Sequence, residues 1–250
     1  MLGAFGSEGL GQRPSTFLVN DRILIDGGSV TGALSVPEQL TIEHALVSHS
    51  HLDHIAGLVY LTETLGFCET GVAVTIAGID PVVTTLRAGV FNNVLWPDFT
   101  KIPHADVPVV KYRTLIEEVE QRVGDVWVTP VMVHHTVPTS GFIIHDGSTG
   151  VIYSADTGPT QEIWRAARGL QGLRAVILEC AFPNRLGALA DIARHMTPAL
   201  IQRELDKLPP DVPVWIFHVK PQFHEEIVEE LDRLGDRRVV LLEQDRTYSI

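Results

Sequence analysis

The chain has 250 residues, 45% apolar and 20% charged, which excludes a disordered or low-complexity protein and allows one large core. With 19 basic and 31 acidic residues its formal net charge is −12, which argues against long nucleic acid as the main partner but not against a small phosphate ester drawn to a local cation. The two cysteines, Cys68 and Cys180, stand apart in apolar surroundings and read as reduced thiols. No basic leader with an apolar stretch opens the chain and no apolar run reaches the length of a membrane span, so a cytoplasmic protein without a membrane partner is expected.

Strands and helices alternate along the whole length and predict a single domain over 1–250. In chain order, strands are predicted at 16–20, 22–26 and 44–48, a helix at 55–64, a strand at 72–77, and helices at 81–92 and 115–121. Strands follow at 125–133, 141–145 and 151–155, then a helix at 160–168, a strand at 175–179 and helices at 186–195 and 198–207. A strand at 214–218, a helix at 223–234 and a strand at 238–242 complete the pattern. Several strands are continuous apolar runs, as expected where both faces are covered. Pro81, Pro198 and Pro221 stand at or just before helix starts, and Thr197 reads as an N-cap. Helices outside sheet strands predict an α/β sandwich layered helix, sheet, sheet, helix, with ligands on loops at one sheet edge.

The run His49-Ser50-His51-Leu52-Asp53-His54 concentrates three imidazoles and a carboxylate between a strand and a helix. Neutral imidazole nitrogen and carboxylate oxygen are ligands of zinc and similar divalent ions. His49 and His51, two apart, can reach one metal from an extended loop, and Asp53 and His54 face away to serve a second. A pair of metals needs about seven protein ligands, so the remainder is sought at strand ends. His135 follows the apolar run 126–133, with His134 beside it as a supporting residue. Asp156 ends another strand and can bridge two cations, or serve as an Asx turn. His218 ends 214–218 and completes the second set. Zinc is the expected ion, with manganese and iron suited to the same donors.

The ordered set His49, His51, Asp53, His54, His135, Asp156 and His218 resembles the metallo-β-lactamase superfamily. The resemblance implies an αββα fold of two mixed sheets flanked by helices, with two divalent ions and a bridging hydroxide on those seven residues. The stretches 15–20 and 23–28 look like the family's opening hairpin, which makes Asp26 a support for the metal loop. More narrowly, 49–58 resembles the motif of class II 3′,5′-cyclic-nucleotide phosphodiesterases, as do 91–98, 179–184, 195–198 and 218–221, whereas 59–63 departs from that pattern. This likeness implies hydrolysis of cyclic AMP or cyclic GMP to the 5′-monophosphate, a small phosphodiester substrate. Asp53, His195 and Glu179 are the expected catalytic residues, His195 as acid to the leaving oxygen or as a grip on phosphate, and Glu179 orienting it. Lys220 is placed to assist phosphate, Asn92 and Asn93 to meet base or ribose, and the aromatic segment 91–99 to wall a nucleotide pocket or a subunit contact. The alternatives on the same scaffold are a ribonuclease Z-like enzyme, a lactonase, a glyoxalase II-like enzyme or a β-lactamase. A non-catalytic metal-binding signalling protein is a further reading, against which the intact ligand set stands. Base rates among oligomers favour a homodimer.

Overall fold

The structure is a computed structural model that describes residues 1–68 and 71–250. The elements run β1 (Phe17–Val19), β2 (Ile23–Ile25), α1 (Val36–Gln39), β3 (His44–Leu46), α2 (Leu52–Phe67), β4 (Val74–Ile79), α3 (Asp80–Thr85), and a π-helical turn at Leu86–Val90. Then come β5 (Pro103–His104), β6 (Val107–Pro108), β7 (Val110–Leu115), β8 (Gln121–Val123), β9 (Val126–Met132), β10 (Ser140–His145) and β11 (Gly150–Tyr153). The rest is α4 (Glu162–Ala166), β12 (Leu173–Glu179), α5 (Gly187–Ala193), α6 (Pro198–Leu205), β13 (Val214–Phe217), α7 (His224–Asp232) and β14 (Val239–Leu241).

One sheet has the order β1-β2-β3-β4-β7, antiparallel only at its β1–β2 hairpin. The other has the order β14-β13-β12-β11-β10-β9-β8, parallel from β14 to β11 and antiparallel beyond. Both sheets are therefore mixed. Alternate residues of each strand face opposite ways, and the burial shows where each face goes. Ile23, Ile25, Phe142, Ile144, Tyr153, Ile177 and Phe217 pack between the sheets. Leu24, Ala45 and Ile76 pack outward on Ile55, Leu58 and Leu61 of α2. Ile143, Val176 and Ile216 pack on the opposite side against Ile163, Ile201 and Ile227 of α4, α6 and α7. This is the helix, sheet, sheet, helix sandwich expected from the continuous apolar runs. No helix among the described residues is long and apolar enough to cross a membrane.

Two expectations fail locally. The helix predicted at 115–121 does not form: β7 ends at Leu115, β8 begins at Gln121, and Gln121 Nε2 donates to the carbonyls of Ile116 and Val119 to close the turn between them. A single helical turn of glutamates has no propagation to offset nucleation, whereas Val110 and Leu115 bury at either end of a sheet-edge strand. The helix predicted at 55–64 starts three residues earlier, at Leu52, so Asp53 and His54 lie in its first turn and not in the preceding loop.

The start of α2 is clasped to the loop after β2 by main-chain bonds. Gly27 N–H donates to the His54 carbonyl at 2.7 Å, Gly57 N–H to Gly28 at 3.1 Å and Leu58 N–H to Gly27 at 3.2 Å. A Cβ on Gly57 would fall 2.5 Å from Val30 N and 2.7 Å from Gly27 O, both backbone atoms that cannot yield cheaply. Gly57→Ala is expected to cost about 1–3 kcal/mol by overpacking, read as a lowered urea midpoint at unchanged slope; an unaltered midpoint would show that the clasp is loose.

Candidate metal centre

The polar residues of the centre follow strand ends along one edge of the sandwich. Asp26 follows β2, Ser48 and His49 follow β3, His135 follows β9, Asp156 follows β11, Glu179 ends β12 and His218 follows β13. His51 is the N-cap residue of α2, and Asp53 and His54 occupy its first turn. Asp26, Ala155, Arg194 and His218 have φ of 54°, 54°, 55° and 65°, uncommon values for residues with a side chain. The chain turns sharply at these points, which brings side chains from both sheets together.

Two groups result. His49, His51, His135 and Asp156 place ligand atoms within 4.8 Å of one another, and so do Asp53, His54 and His218. In the first group His51 Nδ1 is 3.1 Å from His49 Nε2 and 3.2 Å from His135 Nε2. In the second, His218 Nε2 is 3.1 Å from His54 Nε2 and 3.3 Å from Asp53 Oδ2. Asp156 stands between them: Oδ2 lies 3.7 Å from His49 Nε2 and 3.2 Å from His218 Nε2, and Oδ1 lies 3.3 Å from His54 Nε2. His49, His54, Asp156 and His218 are buried, whereas His51 and Asp53 are half-buried and open the centre to solvent.

Hydrogen bonds behind the centre orient the rings. Asp26 Oδ2 accepts from the Ser48 hydroxyl at 2.8 Å, so Ser48 Oγ accepts in turn from His49 Nδ1 at 2.9 Å. Asp26 Oδ2 also accepts from His54 Nδ1 at 2.8 Å and from the Tyr153 hydroxyl at 2.6 Å. The Arg194 carbonyl accepts from His135 Nδ1 at 3.2 Å, while the Arg194 guanidinium donates to the His135 carbonyl. With their Nδ1 protons committed, His49 and His135 turn Nε2 lone pairs inward.

Burial holds His49 neutral, well below the usual imidazole value, with the His54 charge acting the same way. Burial likewise lowers His51 and pushes His135 down to about 4. Burial also opposes charge on His54, but Asp156 and Asp26 outweigh it and push that imidazole well above its usual value. A cation reaching His54 Nε2 must therefore displace a proton. Asp156 stays ionised against burial because His218 and His54 lower its pKa. Asp156 Oδ1 is buried without a hydrogen-bond partner among the described residues. A proton on His51 Nδ1 can satisfy only one of its two imidazole neighbours, whereas a cation would satisfy all three nitrogens. The donor set fits a divalent metal ion.

Glu179 and His195 form a second feature alongside. His195 Nδ1 donates to Glu179 Oε1 at 2.7 Å, and the same carboxylate accepts from Thr157 N–H at 3.0 Å and Met196 N–H at 3.3 Å. Burial would lower His195, but the Glu179 charge and hydrogen bond raise it overall. The His195 ring packs 5.0 Å from His135 and 5.5 Å from His218, and its ligand atom falls within 4.8 Å of those of Asp156 and His218.

All seven expected metal ligands, with Asp26, Glu179 and His195, thus converge. The other candidate residues are engaged as follows. His134 has an exposed side chain and contributes only main chain, through its N–H to Thr157 Oγ1 at 3.1 Å and its carbonyl to Gly158 N–H at 2.8 Å. Asn92 accepts Val94 and Leu95 N–H, and Asn93 accepts Asp98 N–H, so both side chains stabilise their own loop. Lys220 donates to the Gly6 carbonyl and lies 3.9 Å from Asp53 Oδ2. Sequence reasoning missed Ser48, Tyr153 and Arg194; only the adjacency of Ser48 to His49 and of Arg194 to His195 offered a signal.

Two mixed sheets enclosed by helices, with histidines and aspartates gathered at one edge, define a metallo-β-lactamase type of protein. The chain belongs to the family described as beta-lactamase superfamily domain, whose model matches residues 22–242. It is 28% identical over 237 residues to a Yersinia pestis protein named "Probable 3′,5′-cyclic-nucleotide phosphodiesterase", covering 82% of this chain and 67% of that one. It is 27% identical over 207 residues to a Schizosaccharomyces pombe 3′,5′-cyclic-nucleotide phosphodiesterase, covering 74% of this chain and 56% of that one. Among solved structures, unliganded yeast PDE1 superposes with a TM-score of 0.81 at 20% identity, covering 97% of this chain and 96% of that chain.

Asp26→Asn keeps the shape at the buried anchor but loses acceptor capacity. It is expected to weaken zinc affinity about 10–100-fold, measured by competition with a coloured chelator; unchanged affinity would mean that Asp26 does not orient His54. Stripping metal from wild-type protein with a chelator should lower its melting temperature, and zinc at about 1,000 times its dissociation constant should restore about 4 kcal/mol. A melting temperature indifferent to both treatments would count against a folded-state metal site.

Proposed function

We propose that the protein hydrolyses 3′,5′-cyclic nucleotides to 5′-monophosphates with two divalent cations. One would be held by His49, His51, His135 and Asp156, the other by Asp53, His54, His218 and Asp156. The observation that carries this reading is the Asp156 carboxylate between two clusters of imidazole nitrogens, 3.2 Å from His218 Nε2 and 3.3 Å from His54 Nε2. The phosphodiesterase names of the two relatives support the substrate class. Zinc suits the histidine-rich set first, with manganese and iron as the other candidates. Such cations supply Lewis-acid charge that makes water a nucleophile near neutral pH and offsets the charge of a phosphodiester.

The chain's own groups frame the reaction. Burial of His49, His54, Asp156 and His218 keeps bulk water from the inner side. Asp53, half-buried at the opening, offers a carboxylate to orient the attacking water. A bond forms from that water oxygen to phosphorus as the bond to the 3′-oxygen breaks; the water gives up a proton, and the departing oxygen takes one up, so that one proton is transferred overall. His195 is placed to give it from Nε2, because its Nδ1 is committed to Glu179 at 2.7 Å.

Metal-loaded protein is expected to release 5′-AMP from cyclic AMP, with loss of activity on chelation and in Asp156→Asn. Cleavage of bis-p-nitrophenyl phosphate without cyclic nucleotide turnover would move the substrate to RNA ends or another diester, and inactivity on both would overturn the phosphodiesterase reading. His195→Gln should lower kcat on cyclic AMP about 100-fold, with metal content retained. Its effect on a p-nitrophenyl diester should be much smaller, because that leaving group needs no proton; equal losses on both substrates would reject the acid role.

A further inference from the structure

A cleft of about 390 Å³ opens beside the metal centre and reaches Asp53. Gly28 and Gly57 contribute main chain to it, and Leu52, Ala56 and Tyr60 of α2 line one wall. Those three recur every four residues and share a face of the helix. They do not serve the core, which takes Ile55, Leu58, Leu61 and Leu65 of the same helix. Leu52 is 67% exposed and Tyr60 54% exposed, so α2 carries a second apolar stripe turned outward at the mouth of the site. The Tyr60 ring is braced by Trp96, edge to face at 5.9 Å and 79°. This holds an aromatic surface in place without burying it.

The opposite side is polar. Ser7, Ser29 and Thr31 line the cleft, and their hydroxyls have no hydrogen-bond partner among the described residues. The volume falls in the range of small-ligand sites. A second cavity, lined by Trp215 and Tyr248 among others, touches none of the candidate ligands. We propose that the cleft at Asp53 takes the nucleoside half of a nucleotide whose phosphate lies at the metal centre, with Tyr60 stacking on the base and the free hydroxyls meeting ribose and base edges. This rests on the phosphodiesterase reading above and adds the residues that would select a nucleoside over a plain diester.

The test compares wild type, Tyr60→Ala and Tyr60→Phe, all metal-loaded, on cyclic AMP and on methyl p-nitrophenyl phosphate, a diester without a nucleoside. Tyr60→Ala should raise KM for cyclic AMP about tenfold while kcat changes little. The ratio of kcat/KM for cyclic AMP to that for the plain diester should fall by a similar factor, and Tyr60→Phe should restore it. A ratio unchanged by Tyr60→Ala overturns the cleft assignment. Calorimetric titration with 5′-AMP separates this from failure of the parent reading. If wild type binds 5′-AMP about tenfold more tightly than Tyr60→Ala does but turns over no cyclic nucleotide, the cleft stands and the cyclic substrate falls. Equal binding by the two proteins, or none by wild type, rejects the cleft. Matching melting temperatures and metal contents show that the variants are folded.

Discussion

The buried carboxylate of Asp26 is the constraint on which the centre depends. A carboxylate removed from water is tolerated only when its lone pairs are taken up by donors. Asp26 receives four: Ser48 N–H at 2.8 Å, Ser48 O–H at 2.8 Å, His54 Nδ1 at 2.8 Å and Tyr153 O–H at 2.6 Å. The donors come from the loop after β3, from α2 and from β11 in the facing sheet. Burial and the Asp26 charge keep the Tyr153 hydroxyl protonated and hence a donor. One desolvated group therefore sets the distance between the sheets at the site edge, the orientation of His54 and, through Ser48, that of His49.

The two ligand groups differ electrically. His49, His51 and His135 have lowered imidazole pKa values because burial, and after it the charge of neighbouring histidines, disfavours protonation. The other group gathers around carboxylates: His54 lies between Asp26 and Asp156, and His218 contacts both Asp53 and Asp156. With a net charge of −12, the chain as a whole does not attract an anionic substrate. Any attraction would be local, confined to the few ångströms over which a seated cation would dominate the field.

The layered fold and the cluster of candidate ligands were legible in the sequence because both depend on short-range pattern. Runs such as 175–179 and 214–218 are apolar on both faces, which only a doubly covered strand requires. Histidines or aspartates just beyond such runs announce a site at strand ends. Less legible were features set by distant partners. The stretch after Leu115 looks helical because Leu115 and Val119 stand four apart, yet β-pairing with β4 governs the residues up to Leu115. Asn92 and Asn93 have the chemistry to meet a base, but local main-chain donors reach them first. Arg194 could not be singled out, since its role comes from a carbonyl turned toward His135 by a left-handed backbone.

The candidate ligands are divided along the chain. His49, His51, Asp53 and His54 belong to the half that builds the first sheet, and His135, Asp156 and His218 to the half that builds the second. Cys68 and Cys180 are both free thiols, so no disulfide joins those halves. A cation seated at the centre would act as that bridge, closing loops of dozens of residues in the manner of a disulfide. Unlike a disulfide, this cross-link would answer to acid and to metal supply. Opening of the sandwich at this edge and loss of the ion would then become the same event. The protein's resistance to proteolysis would accordingly follow the free metal concentration of its surroundings.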